Sequence, residues 1–494
     1  MNKLIEIVLC LLIVLSFSTT QVMAEQELLV SGDFEYALLS DGTIEILKYN
    51  GSDEKLEIPS ELSGIVVTRI GSHAFSWCHS ISSLKMPDSI ISIGDYAFDY
   101  CKNLVSVELS KNLVTISDFA FYRCSQLRNI IIPDGVTDIG DYAFSSCSNL
   151  TSIDIPDGVT HMGNNPFASC YRLSNINVSS EESQFFVDKG VLYCHEGKRL
   201  ICYPCSLGAA SFSIPQGIQT VDGEAFAGCE NLKSISISDS VVTIGDRAFH
   251  FCEQLISVSI PDSVTTIGAN PFDACEELKR IIVSPDHPSF AIIDGVLFSK
   301  ADKRLICYPP ALDNTDYSIP QGIVTIGDYA FDWCDSLYSV TIPDSVTSIG
   351  TSAFFHCNSL RSLKIDNGLI TIGNYAFAFC DKMRSIIIPD SCTTIGAHAF
   401  DWCKKLESIS IPSSVTTIGE EAFYGCDNLE SLIIPDSVTS IGDGAFDECY
   451  SLTVTVSRDS FAADYCMING ISFTYPDAND WLNSDSESKD WLNN

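Results

Sequence analysis

The sequence predicts a β-rich solenoid, a superhelix of stacked 23-residue units with two 36-residue insertions and a cap at each end. The pattern Phe-x-x-Cys occurs fourteen times. Neighbouring cysteines of this pattern are separated by one constant spacing, the length of a unit, except across two longer gaps of equal size. Each longer gap equals one unit plus one insertion, so the register survives both interruptions. Every unit also repeats one set of apolar positions, which only stacking against other units can bury. The fourteen cysteines are Cys78, Cys101, Cys124, Cys147, Cys170, Cys229, Cys252, Cys275, Cys334, Cys357, Cys380, Cys403, Cys426 and Cys449.

The unit that begins at Cys426 shows the role of each apolar position. Leu429, Leu432 and Ile434 have the spacing L-x-x-L-x-L, the strand signature of leucine-rich repeats. In such a strand Leu432 and Ile434 point into the core, and Ile433 faces out. The following Pro ends the strand because it has no amide hydrogen to donate to a ladder. A second short extended segment comes next, and a Gly closes it in twelve of the fourteen units, which predicts a tight turn.

These units resemble the BspA-like leucine-rich-repeat family, whose repeats read much like I-P-x-S-V-T-S-I-G-x-x-A-F-x-x-C-x-x-L. The resemblance covers about residues 65–456 and is specific because it recurs in register. It implies a secreted or surface protein of bacteria or of certain parasitic protists. It further implies adhesion to host or matrix proteins, which the residues by themselves do not indicate.

The segment 1–24 has the pattern of a signal peptide. A short basic start precedes an apolar run from Ile7 to Phe17, and Ala24 occupies the position that a signal peptidase reads. The apolar run is too short for a permanent membrane helix, and no later stretch is long enough to be one. The sequence therefore predicts a secreted, extracellular or cell-surface protein without a membrane span.

The two ends of the repeat array are predicted to be caps. Residues 25–64 alternate like strands around a turn and predict a β-rich N-terminal cap, which covers the open end of the stack. The fourteen units occupy residues 65–456, and residues 457–476 predict a C-terminal cap with a short helix at 460–467 and a last strand at 471–475. Residues 477–494 form an acidic tail with Asp-Trp-Leu-Asn at 480–483 and again at 490–493. This composition predicts disorder, and a short docking motif is the alternative.

The two insertions, at about residues 180–212 and 285–317, are copies of each other. Both contain Lys-Arg-Leu-Ile-Cys-Tyr-Pro, and each follows one of the only two units with Pro before the Phe, at Pro166 and Pro271. Two β-rich runs flank a turn in each insertion, which predicts a hairpin. The same pattern also fits a larger, two-stranded coil of the stack, and both interpretations remain open.

The charge of the chain restricts its partners. The net charge is −36, which opposes binding to nucleic acid and to anionic lipid because like charges repel. Basic partners or divalent cations are compatible with it, as is an acidic, solvated surface without a ligand. The expected partner is an extracellular protein or glycan, host matrix included, and the chain is expected to be a monomer without a cofactor.

Twenty cysteines follow the predicted signal peptide, and their position decides how they are interpreted. Cysteines in an exported chain usually predict disulfides. Here fourteen occupy one repeat position and point inward side by side, a poor arrangement for regular bridges. Cysteine also behaves as a small buried apolar residue. The repeat therefore favours buried free thiols over a disulfide framework.

A few residues have the spacing of a chemical site. Cys202 and Cys205 form C-x-x-C, and Cys194 and His195 could complete a metal or redox set. The matching insertion keeps only Cys307 of these four positions, which argues against both functions. The chain has no H-E-x-x-H, no G-x-S-x-G and no phosphate-binding Gly loop, so no enzyme and no metal site are predicted.

Many aspartates follow the residue that ends the strand. At this position an Asp bonds the amides of a turn, and the alternative is a ladder of calcium ligands. The turn role is the favoured one. The residues are Asp88, Asp134, Asp157, Asp239, Asp262, Asp344, Asp390 and Asp436.

The variable positions of the unit carry the candidate binding residues. Aromatic residues directly before the Cys either form exposed stripes suited to an interface or pack between successive coils. Apolar residues also occupy an outward strand position in a Ser-rich sheet, which suits an extended partner. The predicted function is adhesion-type protein binding, and a scaffold of a bacterial envelope or secreted assembly is the alternative. The candidates are Trp77, Tyr100, Phe251, Trp333, Phe379 and Trp402 before the Cys, and Ile131, Ile282, Ile387 and Ile433 on the strand face.

Overall fold

The computed structural model describes residues 28–180 and 183–476, which belong to two compact units. Unit 1 extends to Ser183 and unit 2 begins at Gln184. Both consist almost entirely of short strands joined by turns, so the predicted β-rich solenoid is confirmed. The predicted signal peptide and the acidic tail lie outside the described residues.

The strands of unit 1 are β1 (Leu29–Ser31), β2 (Phe34–Leu38), β3 (Ile44–Tyr49), β4 (Lys55–Glu57), β5 (Glu61–Leu62), β6 (Ile65–Ile70), β7 (Ser83–Lys85), β8 (Ser92–Ile93), β9 (Ser106–Glu108), β10 (Thr115–Ile116), β11 (Asn129–Ile130), β12 (Asp138–Ile139), β13 (Ser152–Ile155), β14 (His161–Met162) and β15 (Asn175–Val178).

The strands of unit 2 are β16 (Phe185–Asp188), β17 (Val191–Cys194), β18 (Arg199–Cys202), β19 (Ser211–Ser213), β20 (Thr220–Val221), β21 (Ser234–Ser236), β22 (Thr243–Ile244), β23 (Ser257–Ser259), β24 (Thr266–Ile267), β25 (Arg280–Ile282), β26 (Phe290–Ile293), β27 (Val296–Ser299), β28 (Arg304–Cys307), β29 (Asp316–Ser318), β30 (Thr325–Ile326), β31 (Ser339–Ile342), β32 (Ser348–Ile349), β33 (Ser362–Ile365), β34 (Thr371–Ile372), β35 (Ser385–Ile387), β36 (Thr394–Ile395), β37 (Ser408–Ser410), β38 (Thr417–Ile418), β39 (Ser431–Ile433), β40 (Ser440–Ile441), β41 (Thr453–Thr455) and β42 (Phe473–Thr474). Short 3₁₀ turns span Glu196–Lys198 and Cys205–Leu207, and one α-helix, α1, spans Phe461–Ile468.

Each coil is joined to the next by three ladders of backbone hydrogen bonds. The strand ladder contains the L-x-L strands, which pair in parallel with a shift of one unit, as in β7 with β9. The short-strand ladder contains the two-residue strands, as in β8 with β10. The turn ladder runs through the Phe segment, where the amide of Phe75 donates to the carbonyl of Ala97 at 2.7 Å. The coil therefore has three sides, and each offers a different surface.

The core is a set of ladders of identical side chains. The Phe of every 23-residue repeat is buried. In unit 1, the rings of successive repeats stack at centroid distances of 5.0 to 5.9 Å. Leu432 and Ile434 are buried while Ile433 is exposed, which confirms the predicted strand alternation. Full burial of each such side chain contributes about 1.5–3 kcal/mol. The recurring Gly is explained as well, because a Cβ at Gly396 would lie 2.6 Å from the backbone of Gly373 in the preceding coil.

The recurring cysteines are buried, as predicted, except Cys78 and Cys449 at the two ends of the series, which are partly buried. The thiol of each Cys after the first donates a hydrogen bond to a backbone carbonyl of the preceding coil, at 2.9 to 3.8 Å. The acceptor is the carbonyl of the core Phe, or of the Tyr that replaces it after each insertion. The cysteine thus has a structural role in joining coils.

The two insertions and the N-terminal segment share one topology. In each, three antiparallel strands form a meander, β1–β2–β3, β16–β17–β18 or β26–β27–β28, with a bulge between the second and third strands. The third strand then pairs in parallel with the next strand of the same sheet, which is β6, β20 or β30. A Tyr after or at the end of this strand, Tyr49, Tyr203 or Tyr308, donates its amide to the next coil at 2.8 Å and begins the ring stack. Each insertion therefore combines the predicted hairpin with the predicted coil of the stack.

The second insertion separates two hydrophobic cores within unit 2. Strands β27 and β28 are buried on both faces. Phe298 and Leu305 belong to the core that follows the insertion, whereas Leu297 and Ile306 belong to the core that precedes it. The meander thus forms a layer between two hydrophobic cores. One sheet ends at β24 before the meander, and a separate sheet begins at β26 within it.

The C-terminal end has the predicted elements. Ser460 caps α1 by accepting a hydrogen bond from the amide of Ala463 at 3.2 Å, as expected for an N-cap Ser. Strand β42 pairs in parallel with β41. No helix within the described ranges is long and apolar enough to cross a membrane.

The aspartates bond amides mainly at a different position from the one predicted. Asp88 accepts a hydrogen bond from the amide of Lys111 in the next coil at 3.3 Å, but regular carboxylate–amide bonds occur one residue after the position of the recurring Gly. Asp141, for example, accepts from the amide of Asn164 at 2.6 Å. Part of the acidic charge is therefore structural. The same bond recurs at Asp118, Asp246 and Asp328.

Candidate interaction surfaces

The outer face of the strand ladder carries isolated aliphatic side chains. Ile131, Ile282, Ile387 and Ile433 are 82%, 48%, 73% and 67% exposed, so their predicted outward orientation is confirmed. They lie among polar residues of the same register position, as Ile387 does beside Ser410. An exposed Ile in a Ser-rich sheet is an apolar spot on a flat, polar surface.

A shallow groove adjoins one of these residues. Its volume is about 520 Å³, and Ile433, Pro435, Thr455 and Pro476 contribute to its lining. The groove follows the line where the strands end in the Pro turn. It brings an exposed aliphatic side chain next to the amide-poor backbone of two prolines, which favours contact with an apolar group of a partner.

The residue before the recurring Cys has an unusual backbone conformation. In all fourteen 23-residue repeats this residue has a positive φ, between 53° and 76°, and twelve of the fourteen are not Gly. The left-handed region costs a non-Gly residue about 1–2 kcal/mol. The backbone gains a bond to the next coil in return, as when the amide of Trp77 donates to the carbonyl of Asp99 at 2.8 Å. The side chain at this position is directed to the surface of the turn ladder.

The predicted aromatic residues at this position stack from coil to coil at the surface. In unit 1, Trp77 is 59% exposed and its ring lies 4.1 Å from that of Tyr100, which is partly buried. In unit 2, the ring of His356 lies between Trp333 and Phe379, at 4.5 and 4.6 Å. These rings both pack between coils and present part of their surface to solvent.

The remaining two predicted residues have different neighbours. Phe251 contacts Trp333 edge to face at 6.4 Å, although an insertion separates them in the sequence. Trp402 contacts Tyr424 edge to face at 5.6 Å, and Lys404 places its Nζ 4.9 Å from the Trp402 ring. Both residues are partly buried.

Sequence reasoning missed a second row of aromatic residues, two positions after the recurring Gly. In unit 1 the rings of His73, Tyr96, Phe119 and Tyr142 follow one another at 5.0, 4.6 and 5.0 Å. Tyr122 contacts Phe119 edge to face at 5.5 Å. The sequence contained this signal, because aromatic residues or His occupy the same position in four consecutive repeats.

Two cations lie against the rings of unit 1. The Nζ of Lys102 is 4.1 Å from the centroid of the Tyr100 ring. The guanidinium of Arg123 is 5.3 Å from the same ring and 4.9 Å from that of Tyr122. We call the rings His73, Tyr96, Phe119, Tyr142, Trp77, Tyr100 and Tyr122, together with Lys102 and Arg123, the aromatic patch of unit 1.

A buried polar cluster lies beside the second insertion. Asp273 is fully buried and contacts Arg247 and His250, each at 2.8 Å, and Arg247 also reaches Glu224 at 3.2 Å. Burial acts to raise the pKa of Asp273, but His250 and Arg247 hold this pKa below its usual range. Burial and the charge of Asp273 raise the pKa of the neighbouring Asp332.

The cluster joins the coil before the second insertion to the coil after it. The side-chain amide of Asn270 donates to the carbonyl of Tyr329 at 2.8 Å and its Oδ1 accepts from the amide of Phe272 at 3.1 Å. Pro271 explains the use of Asn270, since a residue before Pro is driven to extended backbone and so loses the left-handed turn of the other units. These contacts indicate a structural role.

The residues with metal or redox spacing do not form such a site. Burial raises the pKa of Cys205 to about 11, the opposite of what a reactive thiolate requires. Among the described residues, no group of three or more His, Cys, Asp or Glu is placed to hold a metal ion. His195 instead stacks on Phe186 at 4.3 Å.

Comparison with known proteins gives a consistent family. The family described as the BspA type leucine rich repeat region matches residues 68–189, 201–319 and 324–453, in six copies. No curated protein matches the chain.

The solved structures that are similar to the chain include those of three bacterial proteins. A leucine rich cell surface protein from Faecalibacterium prausnitzii is 29% identical, over 90% of this chain and 97% of that one, with a TM-score of 0.41. A leucine-rich repeat protein from Bacteroides ovatus is 22% identical, over 91% and 99%, with a TM-score of 0.36. The pneumococcal vaccine antigen PcpA is 20% identical, over 91% and 99%, with a TM-score of 0.40. Because the family matches extend over more than half of its length, the chain belongs to the BspA type leucine-rich-repeat family.

Proposed function

We propose that this protein is exported and, free or held at the cell surface, binds another extracellular protein in the manner of an adhesin. It does so as a monomer, without catalysis. The observation that carries the proposal is the exposure of single isoleucines on the flat outer face of the strand ladder. An aliphatic side chain that is exposed in the free protein gains about 1.5–3 kcal/mol when a partner buries it fully.

The spacing of these residues fits an extended partner. Ile387 and Ile433 occupy equivalent positions two coils apart, with Ser410 between them. Two strand spacings amount to about 10 Å, which an extended peptide covers with about three residues. Apolar contacts separated by hydroxyl groups give a partner both an anchor and polar partners for its backbone.

The test compares surface variants of the chain from residue 25 onward. Ile387→Asp with Ile433→Asp should weaken binding to immobilised extracellular-matrix protein at least tenfold, because each change puts a charge where an apolar contact is buried. The matched control is Ser236→Asp with Ser318→Asp, which are exposed at the same position of the repeat but away from Ile387 and Ile433. Biolayer interferometry gives both affinities. Equal binding by the two double variants would exclude the isoleucines as the contact.

A scaffold of an envelope or secreted assembly is the second candidate. Strand β42 pairs only with β41 and leaves one strand edge without a partner among the described residues, and such an edge pairs readily with another chain. Mass photometry over a range of protein concentrations separates the two candidates. A constant monomer mass supports binding of a foreign protein, and growth of the mass with concentration supports the scaffold.

A further inference from the structure

We infer that the aromatic patch of unit 1 is a second binding surface, which takes an acidic segment of a protein partner. The inference rests on the proposed protein-binding function but uses a different side of the coil, the turn ladder instead of the strand ladder. It extends over four consecutive coils, from His73 to Tyr142.

The stacking of the rings determines what they offer to a partner. The rings of His73, Tyr96 and Phe119 stack nearly parallel, with interplanar angles of 5° for the first pair and 4° for the second. Their faces therefore cover one another, and the part that meets solvent is the ring edge. The edge of an aromatic ring carries partial positive charge and the face carries partial negative charge. A row of edges consequently favours a negative group over a cation.

The two cations add full charge to the same place. Lys102 and Arg123 lie over the ring faces of Tyr100 and Tyr122, where cation–π attraction orders them. Neither forms a salt bridge or a side-chain hydrogen bond within the described part of the chain, although the charge of Arg123 acts on the nearby Asp99, whose pKa is raised by burial. The N–H donors of Arg123 therefore remain available to a carboxylate.

The acidic charge of the rest of the chain makes the two cations of the aromatic patch a distinctive site for an acidic segment. With 28 Lys and Arg against 64 Asp and Glu, most of the surface repels an acidic segment. Burial raises the pKa of Tyr96, and Tyr122 and the nearby carboxylates Asp99, Asp118 and Asp95 raise it further, so acidic groups lie close to the first row of rings. Within the aromatic patch, an acidic side chain is therefore attracted toward Lys102 and Arg123, and repulsion by the nearby carboxylates restricts the register of the partner.

The composition of the patch favours a protein over a polysaccharide. Trp, Tyr and Arg are the residues that most often dominate the binding energy of protein interfaces. Here Trp77 contacts Tyr100, and Arg123 lies over the rings of Tyr100 and Tyr122. The partner that fits is a segment with a carboxylate beside an aromatic or aliphatic side chain. The carboxylate pairs with Arg123, and the apolar group covers Trp77.

The probe for this surface is a random copolymer of Glu and Tyr in a ratio of four to one, immobilised for biolayer interferometry. We expect it to bind the chain from residue 25 onward, and we expect Arg123→Gln to weaken binding about tenfold, the effect of losing one hot-spot residue. Trp77→Ala should weaken it to a similar extent. Unchanged thermal unfolding of both variants shows that the fold is intact, since both side chains are at the surface.

The matched control is Arg361→Gln in unit 2. Arg361 lies over the ring of Tyr338 at 5.2 Å but without a row of stacked rings, so its loss should leave the affinity unchanged. Equal weakening by Arg361→Gln and Arg123→Gln overturns the proposal. So does the absence of copolymer binding, and so does tighter, Arg123-dependent binding of heparin, which identifies a polysaccharide partner.

The same probe separates this proposal from the proposed function. The double variant Ile387→Asp with Ile433→Asp should retain copolymer binding, because these residues lie on the strand ladder of unit 2. Loss of matrix binding in that variant with retained copolymer binding supports two surfaces. If that variant loses matrix binding and the unsubstituted chain does not bind the copolymer at all, the aromatic patch is excluded as a binding surface and the proposed function is still supported.

Discussion

Each recurring cysteine completes the hydrogen bonding of a buried carbonyl. The carbonyl of Phe331 accepts the amide of Cys334 in its own coil at 3.2 Å and the thiol of Cys357 in the next coil at 3.0 Å. Both lone pairs of the oxygen are thereby used. A thiol is small and apolar enough for the core and still donates. This explains the choice of Cys, which burial alone would not distinguish from Ala or Val.

Removing one such thiol is expected to lower the free energy of unfolding. Cys357→Ala deletes a fully buried sulfur and its bond to the carbonyl of Phe331, so the loss should be about 1–3 kcal/mol. Urea titration followed by circular dichroism measures it.

The matched control is the first cysteine of the series. Cys78 is partly buried and no preceding Phe offers its carbonyl, so Cys78→Ala should cost less than about 0.5 kcal/mol. A loss at Cys78 as large as that at Cys357 would refute the role of the carbonyl bond.

At the level of elements, the three-stranded meander shows which parts of the fold could be predicted from the sequence and which could not. The strands, the inward Leu and Ile and the short helix at Phe461 all follow from periodicity and capping, which are local. The likeness of the N-terminal segment to the insertions does not, because they share little beyond a positive-φ Gly, such as Gly32 or Gly190, and a Tyr that begins the ring stack. The similarity lies in the pairing of the backbone strands, which is compatible with many different side chains and therefore leaves little trace in the sequence.

The junction of the second insertion should be sensitive to one charge. Arg247→Met leaves Asp273 buried without its guanidinium partner, and breaking a buried ion pair on one side costs about 3–5 kcal/mol. Differential scanning calorimetry measures the shift in Tm of unit 2.

The control for this variant is Arg361→Met, an exposed Arg over the Tyr338 ring. It should change stability by no more than about 0.5 kcal/mol. If the two variants unfold at the same temperature, the cluster around Asp273 does not hold the junction.

On the scale of the whole molecule, the chain is a pair of compact units with separate internal contacts. In a repeat protein each coil is stabilised by its neighbours, so stability adds along the stack and need not be lost everywhere at once. Two units predict two unfolding transitions. The two longer gaps between recurring cysteines indicated where the repeat is interrupted, but the division at Ser183 depends on tertiary contacts that a repeat pattern does not encode.

A core substitution in each unit tests this division. Phe121→Ala in unit 1 and Phe354→Ala in unit 2 each remove a ring of the buried stack, and each should destabilise its own unit by about 3–5 kcal/mol. Hydrogen exchange resolved by peptide should show faster exchange in the substituted unit only. Faster exchange throughout the chain in either variant would mean a single cooperative unit.

The left-handed residue before the Cys has a consequence for how such a chain changes over time. Its backbone is fixed by the bond to the next coil, and its side chain lies outside the core except at Ala274, so residues as different as Trp, Arg, Ser, Glu and Gly occupy it. Most coils thereby offer one surface site that accepts different residues, at a regular pitch of about 4.8 Å. Recognition can be rewritten one coil at a time while the architecture that displays it stays the same.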